Sequence, residues 1–252
     1  MRILLLNPNM TQSVTDLMTG SGRAVAAPGT ELIPITAPRG VPYISTRTEA
    51  LIGGGIALEM LAEHAGTIDA AIMAAFGDPG LLAARELFDF PVIGVAEAAM
   101  LTACMLGQRF AVVTFNQALV GWYRDCVELN GMAARCAGIF ALDLSFAEVA
   151  SDQRGNSDVL VELAAKVVRD SNADVLIFGG APLAGLAHRE RNRIPVPIVD
   201  PVAAAVKQAE ALVALRPRKA VTGSFQRPAA KSTAGLEERL AARIEHRDGE
   251  SA

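Results

Sequence analysis

Aromatic side chains are scarce in this chain, with nine Phe, two Tyr and one Trp among 252 residues. The apolar fraction is nonetheless 51%. The core must therefore be built from Ala, Val, Leu and Ile, as in a parallel sheet coated by helices. Cysteine is scarce too: Cys104, Cys126 and Cys136 form an odd, scattered set, which excludes a disulfide framework. There is no Cys-x-x-Cys pair, and His64, His188 and His246 lie far apart, so no metal site is expected. No apolar run is long and unbroken enough to span a bilayer. The N-terminus runs straight into a strand ending at Asn7-Pro8-Asn9, whereas a signal peptide needs a longer apolar region and a small-residue cleavage site. The net charge is −4 with no long run of one sign, so the basic face that nucleic acid requires is not expected. The expected setting is the cytoplasm, with neither membrane nor nucleic acid as a partner.

What the chain does have is a repeat. Asp69-Ala-Ala-Ile-Met-Ala-Ala75-Phe-Gly-Asp-Pro-Gly80-Leu81 is echoed by Asp174-Val-Leu-Ile-Phe-Gly-Gly180-Ala-Pro-Leu-Ala-Gly185-Leu186, about 106 residues on. Two further segments keep that offset to within a residue. Ile3-Leu-Leu-Leu-Asn7-Pro8-Asn9 matches Phe110-Ala-Val-Val-Thr114-Phe115-Asn116, and Pro91-Val-Ile-Gly-Val matches Pro197-Ile-Val-Asp-Pro. Three matches in one order indicate two copies of a supersecondary unit. Each copy holds a buried strand that opens into small residues and then a helix. In open α/β sheets ligands gather at the carboxyl ends of such strands.

Short runs rich in Val, Ile, Leu and Ala, bounded by Gly, Pro or Asn, predict strands near 2–7, 31–36, 69–75, 91–95, 109–115, 138–143, 173–179 and 196–199. Helical patterns cover Thr11 to Ala26, with Asn9 as a plausible N-cap, then Thr48 to His64, 80–88, 97–106, 117–129, 157–171 and 201–214. Strands alternating with helices mean parallel sheets with right-handed crossovers. The expected fold is α/β, with two lobes related by a pseudo-twofold axis, each a four-stranded parallel sheet flanked by helices, and an active-site cleft between them. The lobes are expected at 1–97 plus 201–215 and at 98–200. A polar tail at 216–252 should carry one short helix, Glu237 to Glu245, and fray from Asp248 onward.

Leu6-Asn7-Pro8-Asn9, Ala74-Ala75-Phe76-Gly77-Asp78-Pro79-Gly80-Leu81, Val112-Val113-Thr114 and Phe178-Gly179-Gly180-Ala181 resemble the aspartate/glutamate/hydantoin racemase superfamily. The hydantoin and allantoin racemase branch is the nearest likeness. The resemblance covers almost the whole chain, including Gly40-Val-Pro-Tyr43-Ile44 and the Lys231 to Gly235 region. It implies a cofactor-independent enzyme, expected as a homo-oligomer, acting on the α-carbon of a small carboxylate or cyclic amide. In that branch one thiolate takes the α-proton and a second thiol, from the other lobe, returns a proton to the opposite face. Carried over, those two cysteines fall on Ala75 and Gly180, neither of which has a transferable proton. Two-thiol racemisation is therefore not possible for this chain as written. Three accounts fit: a natural paralogue with changed chemistry, such as a lyase or decarboxylase working by oxyanion stabilisation; a binding protein; or an engineered cysteine variant. Restoring both cysteines is expected to create racemase activity.

The resemblance places substrate between Asn9, Tyr43, Phe76, Gly77, Thr114 and Ala181. Backbone N–H groups beyond Ala75 and Gly180 are expected to face an anion. Each candidate has a structural alternative. Asn9 could be only a helix cap, and Tyr43 only a packed loop anchor. Asp78 reads better as the cap of a helix starting near Pro79 than as a general base. His188 sits in a charged, solvated segment, and the three cysteines read as buried small hydrophobes.

Overall fold

The computed structural model describes residues 1–151 and 155–248. Two four-stranded parallel sheets make up its centre. The first contains β1 (Arg2–Asn7), β2 (Glu31–Thr36), β3 (Ala70–Met73) and β4 (Val92–Gly94), in the order β2-β1-β3-β4. The second contains β5 (Phe110–Thr114), β6 (Cys136–Ala141), β7 (Val175–Phe178) and β8 (Ile198–Val199), in the order β6-β5-β7-β8. The same order in both sheets is the structural form of the sequence repeat. β1, β3, β5 and β7 lie inside their sheets and are buried almost throughout, hence their unbroken apolar runs.

The helices are α1 (Gln12–Val25), α2 (Arg47–His64), α3 (Leu81–Leu87), α4 (Val95–Leu106), α5 (Ala118–Leu129), α6 (Phe146–Ser151), α7 (Gly155–Ser171), α8 (Leu186–Glu190), α9 (Pro201–Leu215) and α10 (Glu238–Ile244). Local chemistry sets several starts. Thr46 and Glu49 form a reciprocal capping box on α2, and Asp200 accepts from the N–H groups of Val202 and Ala203 on α9. The helix leaving each sheet crosses to the other lobe. α4 follows β4 but packs on β7 and β8, while α9 follows β8 and packs on α1, β3 and β4. One buried cluster consequently runs through both lobes. A second fills the outer face of the first sheet beneath α2 and α3, with Leu240 of α10 completing it.

Some expectations shift. Strand β6 begins at Cys136 rather than 138, because the register slips between Phe110 and Ala111 and leaves Ala137 unpaired, a bulge that apolar periodicity conceals. Helix α6 was not anticipated, being short and mostly outside any strong apolar period. The cap of α1 is Thr11, not Asn9. Asp248 does not fray: it pairs with Arg227 and Arg243. The rest of the expected frayed end, 249–252, lies outside the described residues. Among the described residues, no helix is long and apolar enough to cross a membrane.

Candidate functional site

The carboxyl ends of β3 and β7 lead into two loops of matching design. Ala74 N–H donates to Leu6 O at 2.8 Å, and Gly179 N–H donates to Val113 O at 2.9 Å. Each chain then turns: Asp78 N–H reaches Ala75 O, and Leu183 N–H reaches Gly180 O, both at 2.9 Å. The loops meet across the lobe boundary. A Cβ added to Gly179 would lie 3.3 Å from the Phe76 ring. The N–H groups of Ala75, Phe76, Gly77, Gly180 and Ala181 donate to no other described residue. Both turns thus present free amides, as an anion site requires.

The symmetry fails at Ala75 and Gly180. Ala75 keeps an ordinary negative φ, whereas Gly180 has φ +121° and ψ 130°. This is a conformation that a side chain makes costly. A Cβ there would stand 3.1 Å from the Phe115 ring and 3.5 Å from the Tyr123 hydroxyl.

The scarce aromatics collect here. Phe76 packs on Tyr123 at 4.6 Å between centroids, Tyr123 adjoins Trp122 at 5.6 Å, and Tyr43 lies between Phe115 at 5.8 Å and Phe146 at 4.7 Å. Both tyrosines and the one tryptophan therefore stand at the lobe boundary. The two phenols face each other, and burial pushes both far above their usual range. They are neutral at any physiological pH. The remaining crevice, lined by Met18, Ala74, Phe76, Val95, Gly180 and Ala181 among others, is only about 10 Å³, roughly the space of one water molecule. At the surface an ion pair joins the two lobes: Arg47 at the start of α2 grips Asp125 of α5 and also donates to Gly121 O.

At the ends of the first strands, Asn7 Nδ2 donates to Asn9 Oδ1 at 3.1 Å and to Thr15 Oγ1 at 2.9 Å. Asn9 Oδ1 also accepts from Thr11 N–H at 3.0 Å, which links the loop to α1. That arrangement leaves Asn9 Nδ2 with no partner among the described residues. Its counterpart in the second lobe, Thr114, is fully buried, and its Oγ1 has no hydrogen-bond partner. A buried hydroxyl left unpaired is unusual and points to a missing partner.

Asp78 is a cap, but of a different helix from the one expected. Its carboxylate accepts from Ala96 N–H at 2.9 Å and Glu97 N–H at 2.8 Å at the start of α4. The second lobe builds the same bridge from the other side, since Asp200 caps α9 and reaches back to Gly185 N–H at 2.6 Å. Burial pushes the Asp78 carboxyl up to about 7 against the pull of those two amides. A carboxyl whose pKa is higher folded than unfolded binds its proton more tightly in the fold. The stability it contributes is fully present below about pH 4 and is lost as pH rises through about 7. The melting temperature is therefore expected to fall between pH 5 and pH 8, and Asp78→Asn should flatten that fall. Equal slopes in thermal scans of the two proteins would refute this assignment.

The other candidates lie elsewhere. His188 is exposed, within 3.0 Å of Arg191. Cys104 rests 3.9 Å from the Met132 sulfur, and Cys136 opens β6 at the end of the sheet away from the loops. Cys126 is buried in α5; burial, then the nearby Asp78 charge, pushes its thiol far above its usual range. Tyr123 was missed by sequence reasoning. It sits on the buried stripe Leu119, Trp122, Tyr123, Cys126 and Val127, which reads as core. The available signal was its hydroxyl, which a core position must satisfy.

These features define an α/β protein with paired turns of free amides between two repeated lobes. The chain belongs to the Asp/Glu/Hydantoin racemase family, whose model matches residues 3–209. It is 32% identical to the hydantoin racemase of Paenarthrobacter aurescens over 233 residues, which is 92% of this chain and 99% of that protein. Its structure resembles the allantoin racemase from Klebsiella pneumoniae with a TM-score of 0.89 at 34% identity, covering 95% of this chain and 98% of that one. Arylmalonate decarboxylase shares the fold, at a TM-score of 0.62 and 15% identity over 84% of this chain and 92% of that one.

Proposed function

We propose that this chain binds a small carboxylate or a cyclic amide of hydantoin or allantoin size between its lobes, which must part to admit it because the crevice there holds about one water, and acts on the α-carbon. The observation that carries this is the pair of unsatisfied turns, at 75–77 and 180–181, which face the lobe boundary with free N–H groups. Such groups stabilise a developing enolate. Asn9 Nδ2 and Thr114 Oγ1, both unpartnered, supply further hydrogen bonds. Phe76, Gly77, Tyr43 and Ala181 complete the enclosure. Ala75 and Gly180 occupy the places of the branch's two thiols, so the proton must travel by another route.

One-sided, lyase-type chemistry is the second reading. The observation favouring it is that a proton-bearing group, the Tyr123 phenol, stands beside Gly180, while Ala75 has only a methyl group. A position of φ +121° with Phe115 packed against it suits a natural change of chemistry better than a single engineered replacement.

The test is incubation in D2O with enantiopure 5-benzylhydantoin, allantoin and phenylmalonate. Turnover is expected to place deuterium on the α-carbon of at least one of them. Because no cysteine lies at the turns, that turnover should survive iodoacetamide. If none of the three gains deuterium faster than in protein-free buffer, the assignment to α-carbon chemistry is wrong.

A further inference from the structure

The geometry points to Tyr123 as the group that hands a proton to the substrate's α-carbon from the Gly180 side. This inference rests on the α-carbon reading above. Three observations carry it. The phenol oxygen stands 3.5 Å from where a side chain on Gly180 would begin, in the space a thiol at that position would claim. The residue is sealed from solvent, with 1% of its surface exposed, and packs on Phe76 in the first lobe's turn. Beside it lie the Tyr43 and Thr114 hydroxyls. Tyr43 belongs to the first lobe and is partly exposed.

The step balances as follows. In a substrate whose α-carbon bears a carboxylate next to a second carbonyl group, the bond between the α-carbon and that carboxylate breaks. Carbon dioxide leaves, and the electron pair passes into an enolate whose oxygen meets the amides of the two turns. The Tyr123 O–H bond then breaks as the α-C–H bond forms, leaving a phenolate that regains its proton from water by way of Tyr43. A neutral phenol serves this step because an enolate carbon is far more basic than a phenolate. The same neutral phenol is no base, so it cannot open a racemisation by removing an α-proton. With a donor on one side only, the product should be a single enantiomer.

Only two tyrosines exist in the chain, so protein labelled with 13C at tyrosine Cζ gives two resonances, assignable with Tyr43→Phe and Tyr123→Phe. 2-Methyl-2-phenylmalonate, whose decarboxylation product carries a stereocentre, is the turnover probe and 5-benzylhydantoin a second binding probe, with binding followed by calorimetry. Binding is expected to shift the Tyr123 resonance. Tyr123→Phe should keep affinity within about tenfold while slowing deuterium delivery about 10²–10⁴-fold, the usual weight of one general acid. Residual product should lose its enantiomeric excess. Tyr43→Phe should slow delivery less and leave the stereochemistry unchanged. Binding without a Tyr123 shift, or Tyr123→Phe turning over at the original rate and enantiomeric excess, overturns the assignment while the α-carbon reading stands. Failure of both probes to bind overturns the α-carbon reading and this inference with it.

Discussion

Gly77→Ala is expected to be among the most damaging single-methyl changes in the molecule. The new Cβ would fall 2.4 Å from the Trp122 ring, on a backbone with φ +111°. Neither problem has a cheap solution. Trp122 is held in α5 by its neighbours, and the turn must keep its shape to aim its amides. Backbone strain and overpacking together should cost about 2–6 kcal/mol, a large share of a stability of roughly 5–15 kcal/mol. Denaturant melts should show it, with the midpoint falling and the slope unchanged. The double variant Gly77→Ala/Trp122→Ala separates the two causes: it should recover the overpacking part but not the strain. A fully tolerated Gly77→Ala would mean that the turn is not locked against Trp122.

The second large effect concerns cysteine introduced at positions 75 and 180. From the sequence, restoring cysteine at 75 and 180 should create a racemase, because all else seemed in place. The backbone changes that expectation. Ala75→Cys meets an ordinary conformation and should fold normally. Gly180→Cys meets φ +121° and a phenylalanine ring at 3.1 Å, so it should cost about 1–3 kcal/mol and push Phe115 or Tyr123 aside. The double variant is therefore expected to remain inactive as a two-thiol racemase. Optical-rotation decay of a 5-substituted hydantoin, read beside deuterium uptake, measures this. Rapid racemisation by the double variant would show that the loop returns to an ordinary φ once a side chain is present. The change at 180 would then be shallow, rather than built into its surroundings.

Much of this was legible in the chain. The repeat gave both sheets, because buried parallel strands are unbroken apolar runs and their offset stayed near 106 residues. The family followed from the Asn-Pro-Asn and Phe-Gly-Asp-Pro-Gly segments read together. What stayed hidden was whatever depends on contacts beyond the local segment. Asp78 looked like the cap of the helix beside it, but its carboxylate reaches Ala96 and Glu97, 18 and 19 residues away. Tyr123 looked like one more core position on α5, since its hydroxyl's neighbours, Tyr43 and Thr114, come from distant segments. Gly180 stood out as the second carried-over cysteine position, but its backbone did not, because no local pattern announces a positive φ after a buried strand. Fold follows local periodicity, whereas this site follows from which side chains the two lobes bring together.

Amide chemical-shift mapping tests the central claim most directly, because it reports where a ligand sits independently of turnover. On titration with 5-benzylhydantoin, the account predicts the largest 1H–15N shifts at Phe76, Gly77, Gly180 and Ala181, the N–H groups without a partner in the fold. Shifts confined to the opposite face, such as the roughly 320 Å³ cavity between Arg85, Phe90 and Lys219, would contradict it.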